Sequence, residues 1–126
     1  MERVHKIFYD KLLDHPWLKG FFEGQDRWVL ESQQSDFMSV LFGGPKIYGG
    51  RMPKYAHIHL FVTEEVFLLR HELLGQSLTE VGILPDLKER WLKYDMGMKK
   101  ALVKDSISEC AGRFKSEAVV VVEKPV

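Results

Sequence analysis

The sequence predicts an all-α domain, and three observations carry that prediction. Apolar residues recur at spacings of three and four in blocks; Gly or Pro separates the blocks; and no stretch alternates like a strand before the last few residues. At 126 residues, with 45% hydrophobic and 29% charged side chains, the chain has the length and composition of one globular domain with a sizeable core.

The first block, residues 2 to 14, gathers Val4, Ile7, Phe8 and Leu12 on one side, and DHP at 14 to 16 ends it. WLKGFF then makes a short helix or turn. Asp26 caps a helix from Arg27 to Phe42, whose stripe is Leu30, Gln34, Phe37 and Leu41 before FGGP stops it. Residues 42 to 53 hold four glycines and two prolines in 12 positions, so they read as a loop and a short re-entry ahead of His57 and His59. Thr63, followed by Glu64 and Glu65, starts a helix to about Val81, with Gly82 as its stop and Phe67, Leu74 and Leu78 along one side. Pro85 and Asp86 open a last long helix carrying Leu87, Trp91, Tyr94, Met98 and Leu102. The tail, SEAVVVVEKPV, favours an extended chain, either docked as a strand or disordered and association-prone.

Charge narrows the partners. The 18 basic and 18 acidic residues cancel, so no net field recruits nucleic acid or an anionic membrane. No run approaches the roughly 20 apolar residues of a membrane span, and the N-terminus lacks a signal-type apolar core. The single cysteine, Cys110, excludes an internal disulfide framework and a multi-cysteine zinc site, and it suits a reducing cytoplasm. The expectation is a cytoplasmic protein, monomeric or weakly homo-oligomeric.

Two polar residues stand out on otherwise apolar faces. Gln34 interrupts the stripe of its helix and, if buried, needs a backbone carbonyl or a water; Tyr9 follows Phe8 on the first helix, where an inward-facing hydroxyl needs a partner unless it is an ordinary amphipathic core residue. His57 and His59 admit more than one chemistry. As an H-x-H pair they can grip a metal if a third ligand joins them. A similarity to the histidine-triad nucleotide hydrolases stops at Phe61, which stands where a third histidine is needed. A single axial histidine in a helical pocket is the way haem iron is commonly held, and Phe8, Phe22, Leu30, Phe37, Met38 and Phe67 offer apolar walls for such a pocket.

Taken together, FYDKLL at 8 to 13, FF at 21 and 22, LESQQSDF at 30 to 37, FGGPKIYGGR at 42 to 51 and AHIHL at 56 to 60 resemble, in order and separation, the truncated haemoglobins. The similarity is greatest to their first group and covers residues 3 to about 105. It implies a truncated two-over-two globin sandwich with a largely loop-like proximal segment over residues 1 to 115. A valine-rich tail, 116 to 126, extended or disordered, would follow. It also implies haem b, with His57 ligating the iron from the proximal side and Tyr9 and Gln34 as donors to a bound diatomic ligand. Leu30 falls one turn before Gln34, where many globins carry a distal histidine, and Phe22 matches the phenylalanine that packs on the haem face. Arg51, Lys54 and Tyr55 are candidates for the propionates, and His59 has a surface or propionate-side place. Arg70 occupies a position at which the family has an apolar residue or tryptophan. An arginine there cannot be buried unpaired, so it reaches a propionate or an acid, or the local register is rotated.

The functional expectation is binding of O2, NO and CO at ferrous iron, with nitric oxide dioxygenase-type or related redox activity that needs a separate reductase. The alternatives are an O2 storage or sensing protein without turnover, and a non-haem metal site on His57 and His59.

Overall fold

The computed structural model describes residues 2–44, 48–50 and 52–125, and it is helical throughout its core. α1 spans Glu2–Asp14 and buries Val4, Phe8 and Leu12 of the expected line together with His5 and Tyr9, while Ile7 is half-buried. A 3₁₀ turn, Leu18–Phe22, follows. α2 spans Arg27–Leu41, and the Asp26 carboxylate accepts the Val29 N–H at 3.2 Å, as an N-cap should. Gly43, at φ +77°, closes α2, because only glycine enters that region without strain. Pro45 and Arg51 lie outside the described residues.

α3 is a single turn, Pro53–Ala56, and His57 is its C-cap. α4 spans Glu64–Val81 between the Thr63 cap, whose hydroxyl accepts the Val66 N–H, and Gly82 at φ +81°. Phe67, Leu74 and Leu78 are buried along it. α5, Pro85–Gly97, starts with Pro85 in its first turn; α6, Lys99–Leu102, continues it after a break. The long last helix expected to reach Leu102 is thus interrupted, since Gly97 weakens the helix and Met98 serves as the cap of both pieces.

α1 packs against α2 and α4, and α4 packs against α5, so two helix pairs meet through the α1–α4 contact. On two helices the buried line differs from the expected stripe. α2 buries Ser35 and Met38, while Leu30 and Gln34 sit on a neighbouring, half-buried line. α5 buries Trp91 and Asp95, leaving Leu87 exposed. Both polar exceptions have partners: the Ser35 hydroxyl lies 2.9 Å from His5 Nδ1, and Asp95 is shared between Arg70 and His71.

No strand occurs among the described residues, but two isolated parallel bridges join Leu60 to Val120 and Val62 to Val103. The valine tail lies extended along residues 59 to 61. The Phe61 N–H donates to Val120 O at 2.9 Å, and the Val120 N–H donates to His59 O at 2.7 Å. Farther on, the Trp17 indole N–H donates to Val122 O at 3.1 Å. A Cβ at Gly20 would come within 2.8 Å of the Val122 side chain, so glycine is what lets the tail lie against the 3₁₀ turn. Among the described residues no helix is long and apolar enough to cross a membrane.

Candidate functional site

A cleft of about 850 Å³, counting its open mouth, runs between α1, α2, the segment after α3 and α4. Its apolar lining comes mainly from Leu12, Leu18, Phe21, Phe22 and Leu30, and from Leu60, Val62, Val66 and Leu102. Its polar groups are few: Tyr9, Gln25, Gln34, His57, His59, Arg70 and Arg113.

Tyr9 and Gln34 reach the cleft from adjacent helices. Tyr9 is 7% exposed and leans edge-on against Phe22, with ring centres 5.6 Å apart. Burial, with some help from Glu31 and against the opposing charge of Arg70, pushes its phenol up to about 12. It is therefore a protonated donor throughout the neutral range. Neither its hydroxyl nor the Gln34 amide makes a hydrogen bond among the described residues. Two polar groups set in an apolar wall with no protein partner are what a pocket built for a polar ligand requires.

His57 enters from the opposite end of the chain's loop. Its Nδ1 lies 2.8 Å from Pro53 O, and since a carbonyl only accepts, Nδ1 carries the proton and Nε2 keeps its lone pair. Burial pushes the imidazole down to about 4, the Pro53 bond opposes this, and the charges of Arg70, Lys104 and His59 add to it. The ring is neutral, with Nδ1–H oriented by a backbone carbonyl, which is the form in which a histidine ligates a metal. The residues present therefore fit haem: one free imidazole nitrogen, flat apolar walls, and two unengaged donors.

Backbone contacts hold this histidine in place. The buried Lys104 ammonium donates to His57 O at 3.0 Å, Leu60 O at 2.7 Å and Leu102 O at 3.2 Å. The Ala111 N–H donates to Ile58 O at 3.0 Å. His59, expected at the surface or propionate side, is instead 7% exposed, because the docked tail covers it; its Nδ1 lies 4.0 Å from the Glu117 carboxylate. Both oxygens of Glu117 are taken by Arg113, and that bidentate pairing, against the lesser effect of burial, holds Glu117 down to about 2. Lys104 carries no signal in the sequence because its partners are backbone carbonyls, and the Arg113–Glu117 pair, four positions apart, reads as an ordinary surface ion pair until the tail docks.

Of the other expected wall residues, Phe8, Met38 and Phe67 are placed in the core, each at most 1% exposed, rather than on the cleft. Phe37 packs edge-on against Tyr48, ring centres 5.1 Å apart. Lys54 and Tyr55 are exposed on α3 and do not line the cleft; Arg51 lies outside the described residues. Arg70 does line it, and it reaches an acid: its Nη1 donates to Asp95 Oδ1 at 2.7 Å, while His71 Nδ1 donates to Asp95 Oδ2 at 2.7 Å. Among the described residues, no third His, Cys, Asp or Glu groups with His57 and His59 as a metal cluster.

Comparison with known proteins identifies the architecture. Residues 1–104 match the family model of the bacterial-like globins. The chain is 32% identical to the group 1 truncated haemoglobin of Tetrahymena pyriformis over 83 residues, 66% of this chain and 69% of that one. The crystal structure of the Fe(III) form of truncated haemoglobin from the same organism superposes with a TM-score of 0.72 at 28% identity, covering 81% of this chain and 87% of that one. The 2/2 haemoglobin of a Synechococcus species, solved with covalently attached haem, superposes with a TM-score of 0.69 at 25% identity, covering 86% and 84%. A helical sandwich of this connectivity, with a neutral histidine on one side of an apolar cleft, is thus no isolated likeness: the chain belongs to the bacterial-like globins, as a two-over-two truncated globin whose cofactor is haem iron.

Proposed function

We propose that this globin binds O2, NO and CO at ferrous haem held by His57, and that it oxidises NO to nitrate with O2. The observation that carries the reading is the pair of unengaged donors, Tyr9 and Gln34, on a cleft that also receives the free nitrogen of His57. Ferrous haem supplies the coordination site and the electron density that makes bound O2 a strong hydrogen-bond acceptor. The chain supplies the rest. Pro53 O fixes the imidazole, the Tyr9 phenol and Gln34 amide donate to the ligand, and Phe22 and Leu30 keep water from competing. Leu30 cannot donate, so the hold on O2 comes from Tyr9 and Gln34. Each NO converted to nitrate withdraws one electron from the ferrous centre, so turnover requires a separate reductase. The valine tail pairs through Val120 and Val122 with its own chain, which supports a monomer.

The test begins with visible absorption spectra of ferric, ferrous and ferrous-CO protein beside His57→Ala. A CO-shifted Soret band that is lost or altered in the variant supports the reading; absence of specific haem uptake by the wild type overturns it. Ferrous protein equilibrated with O2 and mixed with NO is then expected to give one nitrate per haem. No nitrate would leave storage or sensing of O2. Tyr9→Phe removes a protonated donor to a charged acceptor, a loss of about 1.5–3 kcal/mol, and O2 dissociation measured by stopped flow should accelerate about 10- to 150-fold.

A further inference from the structure

Arg70 brings a positive charge to the wall of the cleft. Its position on α4 puts the guanidinium 5.4 Å over the Phe8 ring, next to Tyr9, and 5.9 Å over the Phe67 ring. One nitrogen is committed to Asp95, and Asp95 is fully buried on α5 with its second oxygen on His71. The carboxylate therefore lies behind the guanidinium, away from the cleft that Arg70 lines. No hydrogen bond occupies its remaining N–H groups among the described residues.

Among the described residues, two other cations near the cleft, Arg113 and Lys104, are spent. Arg113 gives its guanidinium to both oxygens of Glu117, and the Lys104 ammonium is divided among three carbonyls. The charge of Arg70 reaches both sides of the cleft, lowering the pKa of Tyr9 as well as that of His57. A guanidinium fixed by a buried partner, lying over two rings and largely shielded from water acts over a short distance in a medium less polarisable than bulk water.

We propose that Arg70 is the specificity-determining residue of this pocket, an anchored cation that makes it select small inorganic monoanions over neutral ligands of similar size. The proposal rests on the haem reading above. Ligands such as azide or nitrite, which carry a full charge into the cleft, gain from Arg70; neutral diatomics gain little.

The experiment is an equilibrium titration of ferric, haem-loaded protein with sodium azide and, separately, with NO, followed by the Soret shift. Arg70→Gln is expected to weaken azide binding at least fivefold while changing NO binding by less than twofold, with Arg70→Lys between it and the wild type. Since Arg70→Gln leaves Asp95 without its cation, the double variant Arg70→Gln/Asp95→Asn, which leaves no unpaired buried charge, is measured beside it. Wild-type azide affinity in either variant, or equal weakening of azide and NO, overturns the proposal. Failure of the wild type to take up haem overturns the underlying reading instead, and a normal Soret band in the variants separates the two.

Discussion

Asp95→Ala is expected to destabilise the fold by about 3–5 kcal/mol, the range for removing one partner of a buried ion pair. Asp95 has no exposed surface and accepts from both Arg70 and His71 at 2.7 Å. Truncating it strands the Arg70 guanidinium between Phe8 and Phe67 with no counter-charge and leaves a void under α5. For a domain of this length the loss corresponds to a fall in Tm of about 10–20 °C, readable by circular dichroism. The same network sets an acid limit. Burial raises the Asp95 pKa, but the Arg70 charge, the His71 and Arg70 hydrogen bonds and the His71 charge outweigh it and hold the carboxyl below its ordinary value. A depressed carboxylate stabilises the fold above its unfolded pKa, about 3.9, and that contribution drains away as pH falls toward the folded value. Urea midpoints measured from pH 5 downward should therefore fall more steeply in the wild type than in Asp95→Asn. Parallel slopes would rule out this carboxylate as the cause.

Lys104→Met should lower stability by about 2–3 kcal/mol and loosen the cofactor. The methionine keeps the apolar stem but withdraws the charged donor from the carbonyls of His57, Leu60 and Leu102, and hydrogen bonds to charged groups contribute about 1.5–3 kcal/mol each. Burial of the ammonium, which lowers its pKa, offsets part of that sum. The functional effect follows from place. Two of the three carbonyls belong to residues 57 to 60, the stretch that presents the imidazole, so haem transfer to apomyoglobin should be several-fold faster in the variant. Unchanged transfer with reduced stability would confine Lys104 to a purely structural role.

Much of this was legible in the residues. The Thr63 cap, the Gly82 stop and the Phe67, Leu74, Leu78 line of α4 followed from local rules, and so did the Asp26 cap of α2. Periodicity failed where a helix has two apolar faces. On α2 the line through Leu30 and Gln34 meets the cleft and the line through Met38 meets the core, and a hydrophobic stripe does not say which is which. It failed on α5 for another reason: Asp95 reads as a surface residue until Arg70 and His71, 25 and 24 positions away, are seen to enclose it. Tyr9, Gln34 and His57 announced themselves as polar groups in apolar company. Lys104 and Arg113 did not, because their work is done on carbonyls and on a tail whose docking no local pattern encodes.

The order in which the cleft is assembled has a consequence for synthesis. Tyr9, Gln34 and His57 have all left the ribosome once about 60 residues are outside it. The floor at Val66 and Arg70, the counter-charge at Asp95, the anchor at Lys104 and the strap that pairs at Val120 come only afterwards. A nascent chain therefore carries an open, apolar half-pocket while residues 61 to 103 are added, and the site closes only once Lys104 and Val120 have followed. A chain stalled before residue 104 would present the walls of the cleft without the lysine that fixes the carbonyls of His57 and Leu60.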